Sequence, residues 1–172
     1  NGIKEGDILM LSRPLGVGII FAAQMQNINL HNSSSLVYNN LRTSQQHLLD
    51  QIFKLQDMLG EDIINAATDI TGFGLIGHLK EMINSSNLQR KNQNLKEIRA
   101  VLNLMSFKAY PSVRELIKQG VKSTLFNENK KIYDEILEQE FKRREIIFDL
   151  EQDSSIHQKS DLIDLLLDPQ TG

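Results

Sequence analysis

The stretch from residue 67 to residue 78 reads Ala67-Thr68-Asp69-Ile70-Thr71-Gly72-Phe73-Gly74-Leu75-Ile76-Gly77-His78. A polar turn passes here into a predicted helix that contains glycines, and each glycine costs about 1 kcal/mol relative to Ala inside a helix. Two explanations for that cost remain open. The glycines let phosphate oxygens or another backbone reach the free amides of the helix start, where the dipole favours negative charge, or they serve tight helix packing.

Asp69 stands two residues before Thr71, which we interpret as the N-cap of this helix. A carboxylate on such a turn is suited to Mg²⁺, which usually takes one or two carboxylates together with substrate phosphate oxygens. The arrangement favours phosphoryl-transfer chemistry. Because the spacing is not that of a standard P-loop, a simple role for Asp69 in capping the turn also remains open.

Upstream of this stretch the sequence predicts a strand, a helix, a loop and a second helix. The apolar run at 7–12 predicts a buried strand, and 15–26 has the apolar spacing of a helix. Residues 27–42 are rich in Asn and Ser and predict a flexible loop. A helix is predicted from Thr43 to Gly60, with Thr43 as its cap. Its apolar stripe is interpreted as core, with a partner-binding face as the alternative, and consists of Leu48, Ile52, Leu55 and Leu59.

Downstream, the same criteria predict helices at 72–83, 112–119 and 128–142 and strands at 98–104 and 144–150. The polar residues 84–87 are expected to end the first of these helices. Strands and helices alternate without a strict repeat, which favours a sheet covered by helices. We therefore predict a mixed α/β fold, with a central mixed sheet covered by helices, in a single domain spanning residues 1–172.

Composition excludes several classes of function. The chain has 172 residues, 40% of them hydrophobic, with a net charge of −3, so it has no broad positive field for nucleic acid or an anionic membrane. It has no cysteine, which excludes disulfides, thiolate metal sites and a cysteine nucleophile within this segment. The longest apolar run, at 15–23, is too short to span a bilayer. We expect a cytoplasmic location.

The twelve residues at 67–78 resemble the hallmark of selenophosphate synthetases, which belong to the same superfamily as aminoimidazole ribonucleotide synthetase. Further segments agree with that family in order and rough spacing along the chain. They are Gly6-Asp7-Ile8-Leu9, Arg13-Pro14-Leu15-Gly16-Val17-Gly18, Ser123-Thr124 with Asn127, and Leu167-Asp168-Pro169-Gln170-Thr171.

The resemblance implies the C-terminal domain of a larger two-domain enzyme, packed against an N-terminal ATP-binding domain. The complete enzyme would convert selenide, ATP and water to selenophosphate, AMP and phosphate, and would be a homodimer. The N-terminal domain, with its catalytic Lys and its Cys or selenocysteine, and the final strands expected after Gly172 have no counterpart here. We therefore expect this chain to be inactive alone and to contain no catalytic residue.

Site residues are carried over by position. Asp69 resembles the aspartate of this domain that binds Mg²⁺, while the other ligands of Mg²⁺ and most contacts to ATP would lie in the absent domain. Residues expected to shape the phosphate-facing turn or the polar loop near ATP are Thr71, Gly72, Gly74, Thr124 and Asn127. The family usually has Gly-Gly-Thr where this chain has Lys122-Ser123-Thr124, a departure from its pattern in that loop.

Two other interpretations remain open. The chain could be a catalytically silent scaffold paralogue, or a superfamily member that acts on another small molecule. Of the remaining polar residues, His78 is interpreted as a structural, hydrogen-bonded histidine. The role of Arg13, at the end of the first predicted strand, is open.

Overall fold

The computed structural model describes residues 2–30, 32–139, 145–149 and 156–170. Within these ranges lie a 3-10 turn at Leu104–Ser106 and a set of helices and strands. The helices are α1 (Val17–Met25), α2 (Ser33–Arg42), α3 (Gln46–Leu59), α4 (Gly74–Asn92), α5 (Val113–Lys118), α6 (Phe126–Glu138) and α7 (Ile156–Leu167), and the strands are β1 (Ala100–Asn103) and β2 (Ile146–Asp149). The predicted mixed α/β class is confirmed. No helix in the described part is both long enough and apolar enough to cross a membrane.

The two strands form a small parallel sheet. Their register runs from Ala100 opposite Ile146 to Asn103 opposite Asp149, and α5 and α6 lie in the connection between them, as is usual for a parallel pair. Both strands were predicted. Residues 144 and 150 of the second predicted strand lie outside the described residues. So do residues 140–142, the end of the helix predicted at 128–142. In the described part this sheet has two strands, fewer than the central sheet that the sequence suggested.

The prediction of a buried strand at 7–12 is wrong. These residues pair with no described strand, and Ile8 and Met10 are 87% and 86% exposed. The segment is held at its ends, where the Asn65 side-chain amide donates to the Asp7 carboxylate at 2.8 Å and the Arg13 guanidinium donates to the Thr43 carbonyl at 2.6 Å. An apolar run predicts burial only where another surface is available to cover it.

The core lies where α1, α4, α5 and α7 meet around the sheet. Its largest fully buried side chains include Leu15, Ile20, Ile76, Ile83, Leu104, Ile136, Ile146, Leu162, Leu165, Leu166 and Leu167. Each such side chain contributes about 1.5–3 kcal/mol on burial. Helix α7, which ends in the run Leu165 to Leu167, was missed by the sequence interpretation, yet its last turn is among the most buried parts of the molecule.

The prediction of a loop over 27–42 is wrong for residues 33–42, which form α2. Val37 is fully buried, and the Asn40 side chain donates to the Tyr110 hydroxyl at 3.1 Å. The Ser33 and Ser112 hydroxyls lie 3.0 Å apart, within hydrogen-bond distance. These tertiary contacts compensate for the weak helix propensity of an Asn- and Ser-rich segment.

Helix α3 was predicted, but its stripe is not core. None of its residues is buried, and Leu48, Leu55 and Leu59 are all exposed. The predicted Thr43 cap is also wrong, because the helix begins after Gln45 and the Gln46 N–H donates to the Ser44 hydroxyl at 3.1 Å. The sequence identified the helix from its period and could not show whether a surface covers the stripe.

Helix α4 runs through the polar residues 84–87 that were expected to end it, so that prediction is wrong. The Ser86 hydroxyl donates to the Met82 carbonyl at 2.8 Å, back along the helix. The Asn87 side chain accepts from the Ile98 N–H at 2.8 Å and donates to the Ile98 carbonyl at 3.0 Å. Because these polar groups bond within the helix and to the segment before β1, they do not compete with the helical backbone.

Candidate functional site

The turn that carries Asp69 is held through the backbone of Thr71. The Thr71 carbonyl oxygen accepts from the Gly74 N–H at 3.2 Å and from the Gln170 N–H at 3.0 Å. The first bond closes the turn that opens α4. The second bond joins that turn to a segment near the other end of the described chain, so the two segments form one site.

We call residues 167–170 the clip. They cap the N-terminus of α1, where helical amides have no partner within the helix. The Gln170 side-chain oxygen accepts from the Gly16 and Val17 N–H groups at 3.2 and 3.3 Å. The Pro169 carbonyl accepts from the Gly18 N–H at 3.1 Å, and the Asp168 carboxyl accepts from the Ile19 N–H at 3.2 Å. The Asp-Pro-Gln sequence therefore supplies the acceptors that the start of α1 requires.

Two glycines allow the clip to lie between α1 and α4. A Cβ on Gly18 would lie 2.8 Å from both the Asp168 carboxyl and the Pro169 carbonyl oxygen. Gly74 has φ of +64°, and a Cβ there would lie 2.8 Å from the Leu167 carbonyl oxygen. The cost of Gly74 in the helix is thus explained by close approach of another backbone, one of the explanations left open by the sequence.

Asn129 on α6 closes the site from the other side and was missed by the sequence interpretation. It is 2% exposed, and its side-chain amide donates to the carbonyl oxygens of Gly72 and Leu167, each at 2.8 Å. The signal that could have found it is an amide three residues after Phe126, on the buried face of an amphipathic helix. The neighbouring Asn127, which was nominated, is exposed.

Burial of the Asp168 carboxyl raises its pKa and so favours its neutral form. Asp168 is 1% exposed, and desolvation raises its pKa from 3.8 to about 7 against the opposing effect of hydrogen bonds from Ile19, Gly18, Gln170 and Ser123. The Ser123 hydroxyl and the second carboxyl oxygen of Asp168 are both buried without a hydrogen bond of ordinary geometry to a described residue. We take that geometry to mean that Ser123 stabilises the charged form only weakly.

A shallow crevice of 190 Å³ lies beside the clip. Its walls come from the apolar face of α1, including Phe21 and Met25, and from Thr124, Pro169 and Gln170. Typical small-molecule sites have volumes of about 300–1,000 Å³, so this crevice is too small to enclose a whole nucleotide. The nominated Thr124 thus lies beside the clip.

His78 links the Asp69 turn to α4. Its Nε2 atom lies 3.0 Å from the Thr71 hydroxyl oxygen, and its Nδ1 atom lies 3.2 Å from a carboxylate oxygen of Glu81. The expectation of a hydrogen-bonded histidine agrees with these contacts. Arg13, by contrast, donates to the Thr43 carbonyl, at the start of the segment that leads into α3.

The donor set of this chain fits part of a Mg²⁺ site. Asp69 is exposed and its carboxylate has no partner among the described residues, and those residues contain no group of three or more side chains able to hold a metal ion. Mg²⁺ usually binds one or two carboxylates and completes its shell with water and substrate oxygens. Asp69 therefore fits as one contributor, whereas a complete site would need ligands from elsewhere. Thr171, the last residue of the segment 167–171 that resembles the family, lies outside the described residues.

Comparison with known proteins matches residues 4–103 to the family described as AIR synthase related protein, C-terminal domain. Among curated proteins, the chain is similar to proteins named selenide, water dikinase. One from Shewanella sp. (strain W3-18-1) is 41% identical over 88 residues, which is 51% of this chain and 23% of that protein. One from Methanocaldococcus jannaschii is 33% identical over 98 residues, 51% of this chain and 28% of that protein.

A third relative, from Pseudomonas straminea and also named selenide, water dikinase, is 31% identical over 118 residues. That alignment covers 69% of this chain and 28% of the relative. The chain thus spans about a quarter of the length of the curated relatives it matches.

Proposed function

This chain belongs to the family of AIR synthase related protein C-terminal domains, and from that premise we propose that it is the C-terminal domain of a selenide, water dikinase. The whole enzyme would convert selenide, ATP and water to selenophosphate, AMP and phosphate. The observation that carries this proposal is the hydrogen bond from the Gln170 N–H to the Thr71 carbonyl. It unites two segments, distant in sequence, that both resemble the selenophosphate synthetases.

In this proposal Asp69 supplies one carboxylate to Mg²⁺, and the remaining ligands come from an N-terminal ATP-binding domain. Bound Mg²⁺ would neutralise charge on phosphate oxygens during phosphoryl transfer. The catalytic Lys and the Cys or selenocysteine belong to the same N-terminal domain, so residues 1–172 alone would not turn over. The full-length protein would be a cytoplasmic homodimer.

The other nominated residues have different parts in the proposal. Thr124 offers a hydroxyl at the crevice beside the clip, where it would contact a phosphate of ATP held mainly by the other domain. Gly72 and Gly74 shape the turn through close packing, and the Gly74 amide already donates to the Thr71 carbonyl. Asn127, exposed at the start of α6, would act only at the boundary with the N-terminal ATP-binding domain.

The scaffold alternative is supported by one observation in the Lys122 loop. The Lys122 ammonium lies 3.7 Å from the Asp164 carboxylate and 3.9 Å from the centre of the Phe126 ring. A side chain at the position where the family usually has Gly thus holds α6 against α7. That contact favours a structural role for the loop over an open path to a ligand.

The test is selenide-dependent formation of AMP and phosphate from ATP by the full-length protein, with the same assay run without selenide and with residues 1–172 alone. We expect AMP only when the full-length protein and selenide are both present. AMP formed equally without selenide would indicate a superfamily member acting on another substrate. A folded full-length protein that forms no AMP would support the scaffold alternative and contradict the proposal.

A further inference from the structure

We propose that Asn129 is a positioning residue for the cation that Asp69 binds, because its side-chain amide fixes the backbone from which the Asp69 turn extends. The inference deepens the proposed function and rests on it for the identity of the cation site. It gives α6 a part in metal binding that the sequence motifs do not indicate, since Asn129 lies outside every segment that resembles the selenophosphate synthetases.

The orientation of the Asn129 amide follows from its two partners. Its Nδ2 atom lies 2.8 Å from the Gly72 carbonyl oxygen and 2.8 Å from the Leu167 carbonyl oxygen. Carbonyl oxygens only accept hydrogen bonds, so the group that faces them is the NH₂ group, and both of its hydrogens are used. The residue is 2% exposed, which shelters these bonds from water.

The chain after Asp69 is held at two successive carbonyl groups. The Gly72 carbonyl accepts from the Asn129 side chain at 2.8 Å, and the Thr71 carbonyl accepts from the Gln170 N–H at 3.0 Å. One of these bonds comes from α6 and the other from the clip. Because the two carbonyls belong to the second and third residues after Asp69, they fix the point from which the Asp69 turn extends.

The chain just before and at Asp69 has no comparable support. Residues 66–69 are all exposed. Within the described part of the chain, their hydrogen bonding is limited to a local contact of 3.2 Å from the Thr68 hydroxyl to the Asp69 carbonyl. Ile70 is the first residue of this stretch to pack against the core, and it does so only partly buried. The place of the Asp69 carboxylate therefore depends mainly on the residues that follow it.

Helix α6 is a firm support for the Asn129 amide. The Asn129 N–H donates to the Leu125 carbonyl at 3.0 Å, so its backbone belongs to the first turn of the helix. Further along the same helix, Ile136 is fully buried. The turn also lies close to α6 at Gly72, where a Cβ would come within 3.2 Å of the Leu125 Cδ1 atom. The position of α6 is thus transmitted to the Gly72 backbone.

The first test measures Mn²⁺ binding to the full-length protein, without turnover. Loss of groups that orient a metal ligand typically weakens affinity about 10–100-fold. We therefore expect Asn129→Ala, and Asn129→Leu, which keeps the volume but has no donor, to weaken Mn²⁺ binding about 10-fold or more. Asn127→Ala, at an exposed position on the same helix, should leave the affinity unchanged. Unchanged affinity in both Asn129 variants would overturn the inference.

A further variant separates positioning from a general loss of stability. Ile136→Ala removes a fully buried side chain from the same helix and should destabilise the fold at least as much as Asn129→Ala. It leaves both amide bonds of Asn129 in place, so the folded protein should bind Mn²⁺ as the unmodified protein does. If Ile136→Ala weakens Mn²⁺ binding as much as Asn129→Ala, the effect is one of stability and the inference is wrong.

The unmodified full-length protein offers a reciprocal test that needs no variant. If breaking the Asn129 bonds weakens metal binding about 10-fold, then metal binding must oppose the breaking of those bonds by the same factor. In protein labelled with nitrogen-15 at Asn, we expect saturating Mg²⁺ to slow hydrogen exchange of the Asn129 side-chain amide about 10-fold. The exposed Asn127 amide is the internal control and should exchange rapidly with and without Mg²⁺. Exchange at Asn129 that Mg²⁺ leaves unchanged would overturn the inference, even if the Asn129 variants fail to fold.

The outcomes separate this inference from the proposed function, because none of these measurements uses selenide. If the full-length protein forms no AMP with selenide but Asn129→Ala still weakens Mn²⁺ binding, the proposed function fails and the inference stands. If the full-length protein forms AMP with selenide and Asn129→Ala binds Mn²⁺ normally, the proposed function stands and the inference fails.

Discussion

Helices α1 and α3 differ in where the acceptors for their first amides come from, since those of α1 are distant in sequence and that of α3 is local. At the clip, oxygens of Asp168, Pro169 and Gln170 accept from the first amides of α1, and the clip residues are packed between two helices. Helix α3 has one such bond, from the Gln46 N–H to the hydroxyl of the nearby Ser44 at 3.1 Å, and it buries none of its residues. The difference teaches that a strong local pattern specifies a helix, whereas partners distant in sequence decide whether that helix is fixed to the fold.

The largest effect in this comparison should come from the charge of Asp168. Its folded pKa of about 7 lies above the ordinary 3.8, so the folded state binds more protons than the unfolded chain between these values. The free energy of unfolding should therefore fall as pH rises from about 4 to about 7, by up to about 4 kcal/mol.

Denaturant unfolding at a series of pH values checks this effect. Asp168→Asn should remove most of the slope, because Asn retains an acceptor for the Ile19 N–H but does not titrate. The matched Asp164→Asn should leave most of it, since that carboxyl is less buried. A slope that is unchanged in Asp168→Asn would show that the clip carboxyl is hydrated in solution.

Gly74 and Gly60 offer a matched pair between the two regions. Both have positive φ, +64° and +68°, but a Cβ on Gly74 meets the Leu167 carbonyl whereas one on Gly60 meets nothing within 4 Å. Gly74→Ala should cost about 2–4 kcal/mol, from backbone strain and overpacking together. Gly60→Ala, at the end of α3, should cost only the strain of about 1 kcal/mol. Equal losses of stability in the two variants on thermal unfolding would mean that the clip is not in close contact with Gly74.

The Asn129 side chain joins the Gly72 turn to the clip by two hydrogen bonds, and their contribution to stability can be tested. Asn129→Ala leaves the Gly72 and Leu167 carbonyls without their donor, which should cost about 1–3 kcal/mol. The exposed Asn127, two residues away on the same helix, is the control, and Asn127→Ala should stay within about 0.5 kcal/mol. Urea unfolding followed by circular dichroism separates the two, and similar losses would argue against the bridging role of Asn129.

The smallest effect should come from α3. Phe53 is 56% exposed, so Phe53→Ser should change the free energy of unfolding by about 0.5 kcal/mol or less. Leu166→Ala, just before the clip, should instead cost about 2–5 kcal/mol because that side chain is fully buried. A loss near 2 kcal/mol in Phe53→Ser would show that α3 packs on a surface in solution.

Local signals predicted a large part of the fold. The helical spacing of 15–26 and 43–60 gave α1 and α3, and the short apolar runs near 100 and 146 gave the two strands. Predictions failed where tertiary contacts override local preference. The Asn- and Ser-rich α2 is held by Tyr110 and Ser112, and the apolar segment at 7–12 leaves Ile8 and Met10 exposed while Leu11 packs partly buried against the core.

The sequence identified the separate segments of the site but not the contacts between them. The motif at 67–78 and the Asp-Pro-Gln sequence were both noticed, but their hydrogen bond between Gln170 and Thr71 joins positions that no local pattern relates. Asn129 was missed because Asn127 and Asn129 lie on the same charged helix, and only the position of Asn129 relative to Phe126 places it on the buried face. The partners of His78 were also beyond reach, since the Thr71 contact depends on how the turn folds back on α4.

The most direct test of the account compares selenide-dependent AMP formation by full-length proteins carrying Asp69→Asn and Asp57→Asn. Both aspartates are exposed, but only Asp69 lies on the turn joined to the clip. We predict that Asp69→Asn lowers the rate at least 100-fold, since loss of a charged metal ligand exceeds the effect of a group around the shell, and that Asp57→Asn leaves it unchanged. Full activity in a folded Asp69→Asn protein would contradict the assignment of this turn to the cation site.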